Sequence, residues 1–295
     1  MALVPHLRRV ALAAAAAVSW QAPLGAGPHA HEAPPTAPLK QVTWAVYDAA
    51  PYMMTDGPEA GRGISDQIRG ILTDRLTEYA HNTLVVPFPR FVSSLKQGAE
   101  WCFVGGVRTE ERDAFAYFSR PTGMFYPLRV HVRAAQRARF EALGPLSPEL
   151  LLQGHPELRT SVLRNRAVTP KVDEALRRSR VSQVHSEFGE AFRMLRNDRL
   201  DYLFEFANIA TYYAAASGEP APWISLPLAE TPEPVFSRVM CARTPWGRAV
   251  IDRIDAILPA ERGTERYRRI VEAWSAEADL AKLRTVYDAS FLSSE

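Results

Sequence analysis

Arg112 is the residue of this chain best placed to do chemistry. It stands in the stretch Gly105-Gly106-Val107-Arg108-Thr109-Glu110-Glu111-Arg112-Asp113, with Phe118, Ser119 and Pro121 following. The apolar run 101–104 reads as a short buried strand that Gly105 and Gly106 end, which frees the backbone for close approach of a ligand. Thr109 is placed to cap a helical turn, with Glu110 and Glu111 at its positive end. A guanidinium beside exposed amides in a strand-to-helix turn makes a receptor for a small anion such as a carboxylate. The competing reading is a solvated ion pair with Glu111 or Asp113, which is weak. Catalytic patterns are missing: there is no Gly-x-Ser-x-Gly elbow, no His-Glu-x-x-His, no phosphate loop and no Cys-x-x-Cys. His29 and His31 fall in the N-terminal segment, and His81, His131, His155 and His185 lack ligand spacing, so neither a metal nor a cofactor is expected.

The elements around Arg112 explain how it would be positioned. Val42, Trp44 and Val46 alternate with Thr43, Ala45 and Tyr47 as in a half-buried strand, which ends at Asp48 and turns through Ala49, Ala50, Pro51 and Tyr52. Ile64, Ile68, Ile71, Leu72 and Tyr79 share one face of a helix. Residues 83–87 return as a strand, and Pro89 opens a helix with Phe91 and Leu95 inward and Gly98 as its stop. Residues 117–121 read as an aromatic strand ended by proline. Strand, helix, strand, helix, strand predicts a parallel sheet flanked by helices, whose ligands gather at the carboxyl ends of the strands. Asp48, Tyr52, Arg90, Gly105 and Arg112 all fall just beyond strand ends, and this shared location lifts Arg112 above the surface-pair reading. Tyr47 and Tyr52 could stack on a ligand or form the core edge.

Residues 125–133 read as a further strand, and the polar, proline-spaced segment 134–156 as a crossing into a second domain. There a second alternating unit follows, with strands at 159–163, 180–184 and 201–206 and helices at 171–178, 188–195 and 208–216. A proline-rich segment, 219–234, leads to a strand at 236–242 and helices at 246–258 and 266–274. The fold class is therefore α/β, in two domains.

At 295 residues the chain has room for both. Arg8 and Arg9, the alanine-rich apolar run 10–20 and the small residues Ala22, Ala26 and Ala30 form a signal-peptide layout too short to span a bilayer. We expect a signal peptide over 1–30, cleaved between Ala22 and Ala33, and a proline-rich flexible linker over 31–40. Loss of Arg8 and Arg9 leaves 33 basic against 33 acidic residues, which argues against nucleic acid as a partner. The mature protein is expected to be soluble and periplasmic. Its two cysteines, Cys102 and Cys241, would meet an oxidising compartment and form a disulfide, with two buried thiols as the alternative.

With these elements in place, the chain resembles the bacterial periplasmic solute-binding proteins of family 3, which carry polar amino acids and similar solutes to transporters. Thr109-Glu110-Glu111-Arg112, followed by Phe118-Ser119 and Pro121, is similar to that family's Thr-x-x-Arg segment and Phe-Ser strand. Asp48 to Tyr52 resembles its first-strand turn, and Asn197 to Glu205 its helix-to-strand segment in the second domain. Pro87-Phe88-Pro89-Arg90 and the two cysteines resemble an exported branch of the superfamily. The resemblance implies that Arg112 holds a ligand carboxylate, Gly105 offers backbone contacts and Tyr52 lines the cleft, with Thr109, Asp48, Arg90 and Glu205 as further candidates. It implies a discontinuous first domain over 41–128 and 229–295 and a second over 129–228, with Cys241 returning beside Cys102 in the first. Val107 stands where amino-acid binders carry threonine, and Phe206 where they carry an acid, which argues against an ordinary α-amino acid ligand. Glu205 is adjacent, but neighbours in a strand face opposite ways. The expected function is a monomeric, hinge-closing binding protein that takes a small carboxylate-bearing or zwitterionic solute to a transporter permease or a sensor. The alternative is a dehydratase-like enzyme with Glu205 as general acid and base.

Overall fold

The computed structural model describes residues 40–294, apart from 182 and 231. The expected signal peptide lies outside the described residues, as does the linker except for Lys40, which already belongs to the first strand.

The first lobe is built on β1 (Lys40–Val46), whose Val42, Trp44 and Val46 are all buried. Helix α1 (Ile64–Arg75) leads to β2 (Tyr79–Val85), and α2 (Phe88–Lys96) to β3 (Trp101–Val107). Both β2 and β3 pair with β1 in parallel, as the alternation of elements predicts. Helix α1 stops four residues short of Tyr79 because Tyr79 already pairs with Lys40, so β2 begins well before the expected position 83. The one-turn helix α3 (Glu110–Asp113) and β4 (Ala116–Phe125) follow.

Two strand ends differ from expectation for reasons visible in the pairing. The two glycines do not end β3; the strand runs on to Val107, paired with a later strand that bulges at this level. Gly105 lies at φ +116°, a left-handed region that side chains other than glycine rarely enter. Pro121 does not end β4 either. That strand is at the sheet edge, where a missing N–H is tolerated.

The chain then passes to a second lobe: β5 (Leu128–Val132), α4 (Arg137–Glu141), β6 (Ser161–Leu163), α5 (Pro170–Arg177), β7 (Gln183–His185), α6 (Phe188–Arg196), β8 (Tyr202–Phe206), α7 (Ala207–Ser217) and β9 (Ile224–Leu226). Here β5 lies between β8 and β9, antiparallel to both, while β6 and β7 form a separate parallel pair. Strand β10 (Val235–Ala242) returns to the first sheet, whose order is β2-β1-β3-β10-β4. Cys241 is opposite Cys102 in the β10–β3 register, and the two form a disulfide. Helix α8 (Pro245–Arg262) covers β4 and β10, α9 (Glu265–Glu272) packs on α1 and α8, and α10 (Glu277–Val286) follows. Sequence periodicity does not announce α10; an Arg129–Asp279 ion pair ties it to β5. Among the described residues no helix is long and apolar enough to cross a membrane.

Candidate functional site

The carboxyl ends of β1 and β3 face the end of β6 across a cavity of about 60 Å³. Its first-lobe wall carries Tyr47, Tyr52, Ser65, Phe88, Phe103, Gly105 and Arg112, and its second-lobe wall Leu163, Arg164, Arg166 and Phe188. Tyr47, Phe88 and Phe103 are packed together, with ring centroids 5.3–5.9 Å apart, so one side of the cavity is flat and apolar.

The turn after β1 is held by α1. Ile64 and Ser65 donate their backbone N–H groups to the carbonyls of Pro51 and Tyr52, and Asp66 accepts from the Met54 amide at 2.8 Å. A Cβ at Gly63 would lie 2.3 Å from the Tyr52 carbonyl, so only glycine allows this approach. The helix start is thus spent on fixing the loop. Tyr52 donates its hydroxyl to the Met124 carbonyl and accepts from Asn208 Nδ2 of the second lobe at 2.8 Å.

Arg112 is 8 % exposed and reaches into the cavity from α3. Thr109 caps that turn, accepting from the Arg112 amide, as its position predicts. The guanidinium donates to the Val107 carbonyl at 2.7 Å in its own lobe and to the Asn165 carbonyl at 2.9 Å in the other. It also lies over the Phe88 ring, 5.4 Å from the centroid. Neither acid proposed as its surface partner is free to serve: Glu111 pairs with Lys96 and Asp113 with Arg108. Burial lowers the Arg112 pKa from its usual value, with Glu111, Tyr47 and Asp173 opposing the shift. Its hydrogen bonds therefore go to two neutral carbonyls, beside a ring, while Glu111 and Asp173 act on its charge without bonding it.

A second guanidinium, missed in the sequence, stands opposite. Arg166 follows β6 and forms a two-point pair with Glu205, at 2.5 and 2.8 Å. Its carbon lies 4.5 Å from the Phe188 centroid, 5.5 Å from Phe206 and 6.0 Å from Phe125. Glu205 also accepts from the Phe206 amide, so both its oxygens are engaged. The Glu205 carbonyl can only accept, so His131 Nε2 carries the proton toward it while Nδ1 accepts from Ser225. Burial pulls the His131 pKa down to about 4, which keeps the ring neutral. Arg166 was discoverable by the rule that singled out Arg112, because it too stands just beyond a strand end.

The structure thus brings Arg112, Gly105 and Tyr52 to one cavity. Thr109 lies behind Arg112 as its cap, and Glu205 behind Arg166 as its counter-ion. Asp48 and Arg90 are exposed and do not line the cavity: Asp48 stands just past the end of β1, within electrostatic reach of Glu187 and Tyr213 of the second lobe, and Arg90 is an exposed residue of α2. Ser65 was also missed. Its Oγ is the nearest atom to the place a Cβ on Gly105 would take, at 3.2 Å. Burial, the largest influence, pushes the Tyr47 phenol up to about 12. Among the described residues no cluster of His, Cys, Asp or Glu could hold a metal.

No protein-family model matches the chain, and no curated protein matches it. Solved structures do. The ancestral amino acid-binding protein AncCDT-1, a precursor of cyclohexadienyl dehydratase, matches with a TM-score of 0.62 at 17% identity, over 81% of this chain and 96% of its own. A histidine kinase sensor domain similar to periplasmic binding proteins gives 0.61 at 16% identity, over 80% and 96%. The substrate-binding protein of an amino acid ABC transporter gives 0.60 at 17% identity, over 79% and 98%. With its two lobes, double crossing and interlobe cavity, the chain has the α/β fold of the periplasmic solute-binding proteins.

Proposed function

We propose that this chain is an extracytoplasmic solute-binding protein that closes its two lobes around a small carboxylate-bearing solute. The observation that carries this reading is Arg112: a buried guanidinium in an interlobe cavity, bonded to one carbonyl from each lobe and to no carboxylate. A carboxylate entering the cavity completes its charge and adds a hydrogen bond of the strong, ionised kind. Since the same guanidinium touches the second lobe at Asn165, binding and closure are linked through one side chain.

The similar folds include a transporter's binding protein and a sensor domain, which supports delivery to a membrane permease or a kinase-type sensor. The chain acts as a monomer of 41–128 plus 229–295 hinged to 129–228. Catalysis by Glu205 finds little support: both its oxygens are held, and it does not line the cavity. The test is thermal denaturation of the wild type and of Arg112→Ala with a panel of short carboxylates. At a hundred times its dissociation constant a ligand stabilises by about 2.7 kcal/mol. The wild type should shift with at least one acid and the variant should not; equal shifts in both would remove Arg112 from the site.

A further inference from the structure

The cation-binding half of the cleft is already occupied. A flat cation held against aromatic faces and gripped at two points by a carboxylate is how a protein binds a free guanidinium. Phe188, Phe206, Phe125 and Glu205 form such a receptor, and the guanidinium in it is that of Arg166. Arg166 comes from the β6–α5 loop, and its neighbour Asn165 supplies the carbonyl that meets Arg112. A smaller cavity of about 30 Å³ lies against Arg166 and Glu205 within the second lobe, and in front of Arg166 is the cavity of about 60 Å³, lined by no acidic side chain. That space is far below the roughly 300–1,000 Å³ of pockets for drug-sized ligands. Arg164, exposed at its mouth, adds further positive charge. A ligand ammonium here would face Arg112 and Arg166 with no acid to pair with, and an unpaired buried charge is strongly disfavoured.

We infer that Arg166 is a tethered occupant of a guanidinium site, and that by filling it the chain restricts its free ligand to a short carboxylic acid with an uncharged, apolar body. This rests on Arg112 as the carboxylate receptor. The apolar body lies against Tyr47, Phe88 and Phe103, and selectivity against amino acids comes from the absence of an acceptor acid in the cavity lining. Arg166 thereby sets specificity without bonding the ligand.

The test compares propionate with alanine, which adds one ammonium group, by calorimetric titration of the wild type. Propionate should bind at least tenfold more tightly. Arg166→Ala should then lose thermal stability and regain it with millimolar methylguanidinium, which refills the vacated receptor, while wild type shows no such response. The same variant should bind arginine at least tenfold better than wild type does. Should Arg166→Ala fail to fold unaided, the yield of folded protein on refolding with and without methylguanidinium is the readout, for it and for Arg166→Gln. Alanine binding the wild type as well as propionate would overturn the inference and leave the Arg112 reading standing. Absence of methylguanidinium rescue in both variants would overturn it too. A wild type that binds neither acid, with rescue intact, would remove the carboxylate reading and the ligand class with it.

Discussion

Two arginines line the cleft, Arg112 buried and Arg166 half-buried, and they are held in opposite ways. Arg166 is neutralised at two points by Glu205 and enclosed by three rings; Arg112 is held by two main-chain carbonyls and one ring. The first pair is closed to outside partners, because every strong acceptor near it is taken. The second has its hydrogen-bond geometry fixed but no carboxylate bonded to it. A protein that needs rigidity alone would pair both. The difference teaches that a guanidinium without a bonded carboxylate, rather than burial itself, distinguishes the candidate ligand contact from the structural arginine. It also separates two jobs: Arg166 shapes the second lobe, and Arg112 connects the lobes.

The same contrast extends to how each arginine's element is anchored, and it can be broken at each anchor. The turn bearing Arg112 follows β3, which the Cys102–Cys241 bridge joins to β10 across a sequence separation of 139. Loop-closure entropy for that span is worth about 5 kcal/mol. Replacing both cysteines with alanine should lower stability by up to that amount in urea denaturation, the largest effect expected in the molecule. An unchanged midpoint would show that the staple adds nothing to the first lobe. The loop bearing Arg166 has no such staple and is held by its ion pair and a few hydrogen bonds of its own, among them Arg164 N–H to the His185 carbonyl and Val168 N–H to Asp173. Glu205→Gln leaves a half-buried guanidinium with one neutral partner, and breaking a fully buried pair costs up to roughly 3 to 5 kcal/mol. A loss below about 1 kcal/mol, the range of exposed pairs, would mean that water reaches Arg166 and that the two arginines are more alike than their contacts indicate.

Acid should separate the lobes further. His131 and His185 both belong to the second lobe, and burial pulls each down from 6.5 to about 4. Their rings are neutral in the folded protein, whereas the unfolded chain begins to protonate them near pH 6.5. The folded state therefore keeps its full stability above that pH and loses it progressively as pH falls toward 4, where both states are protonated. Each ring accounts for about 3 kcal/mol over this window, at about 1.4 kcal/mol per unit. His131→Gln should flatten the loss between pH 7 and pH 4 by about that amount, measured as the difference between urea midpoints at the two pH values. An unaltered slope would assign the acid sensitivity to other groups.

How much of this was legible in the sequence follows the range over which each feature is decided. The first lobe could be read because its elements are local: alternation in β1, the helical face of α1 and the Thr109 cap depend on neighbours within a few residues. Strand ends could not, because partners distant in sequence decide them. Pairing with β10 carries β3 through Gly105 and Gly106, and the edge position of β4 lets Pro121 stand inside a strand. Arg112 could be singled out because its motif is compact. Arg166 escaped because its partner Glu205 is 39 residues away and its aromatic walls come from α6, β8 and β4. Asp48 and Arg90 were selected by the same strand-end rule as Arg112, and neither lines the cavity. The rule places a backbone near the site but does not say which way the side chain turns.

The smallest effect tests the geometry of Arg112 itself. Arg112→Lys keeps a positive charge at the turn but replaces a planar fork with a flexible point charge. It cannot reproduce donation to the Val107 and Asn165 carbonyls while presenting a flat edge to a carboxylate. Hydrogen bonds involving charged groups are worth about 1.5 to 3 kcal/mol, roughly 10- to 150-fold in affinity, so alanine at this position should lose that much for the acid the wild type binds. Lysine should fall between, keeping long-range attraction but losing the fork. If lysine binds as tightly as arginine, the carboxylate is held by charge alone, and the two carbonyls serve only to seat the side chain. If lysine is as poor as alanine, the fork and its grip on Asn165 carry the affinity. Closure of the second lobe onto the first would then depend on this one guanidinium rather than on the Tyr52–Asn208 hydrogen bond or the Arg129–Asp279 ion pair, which also join the lobes.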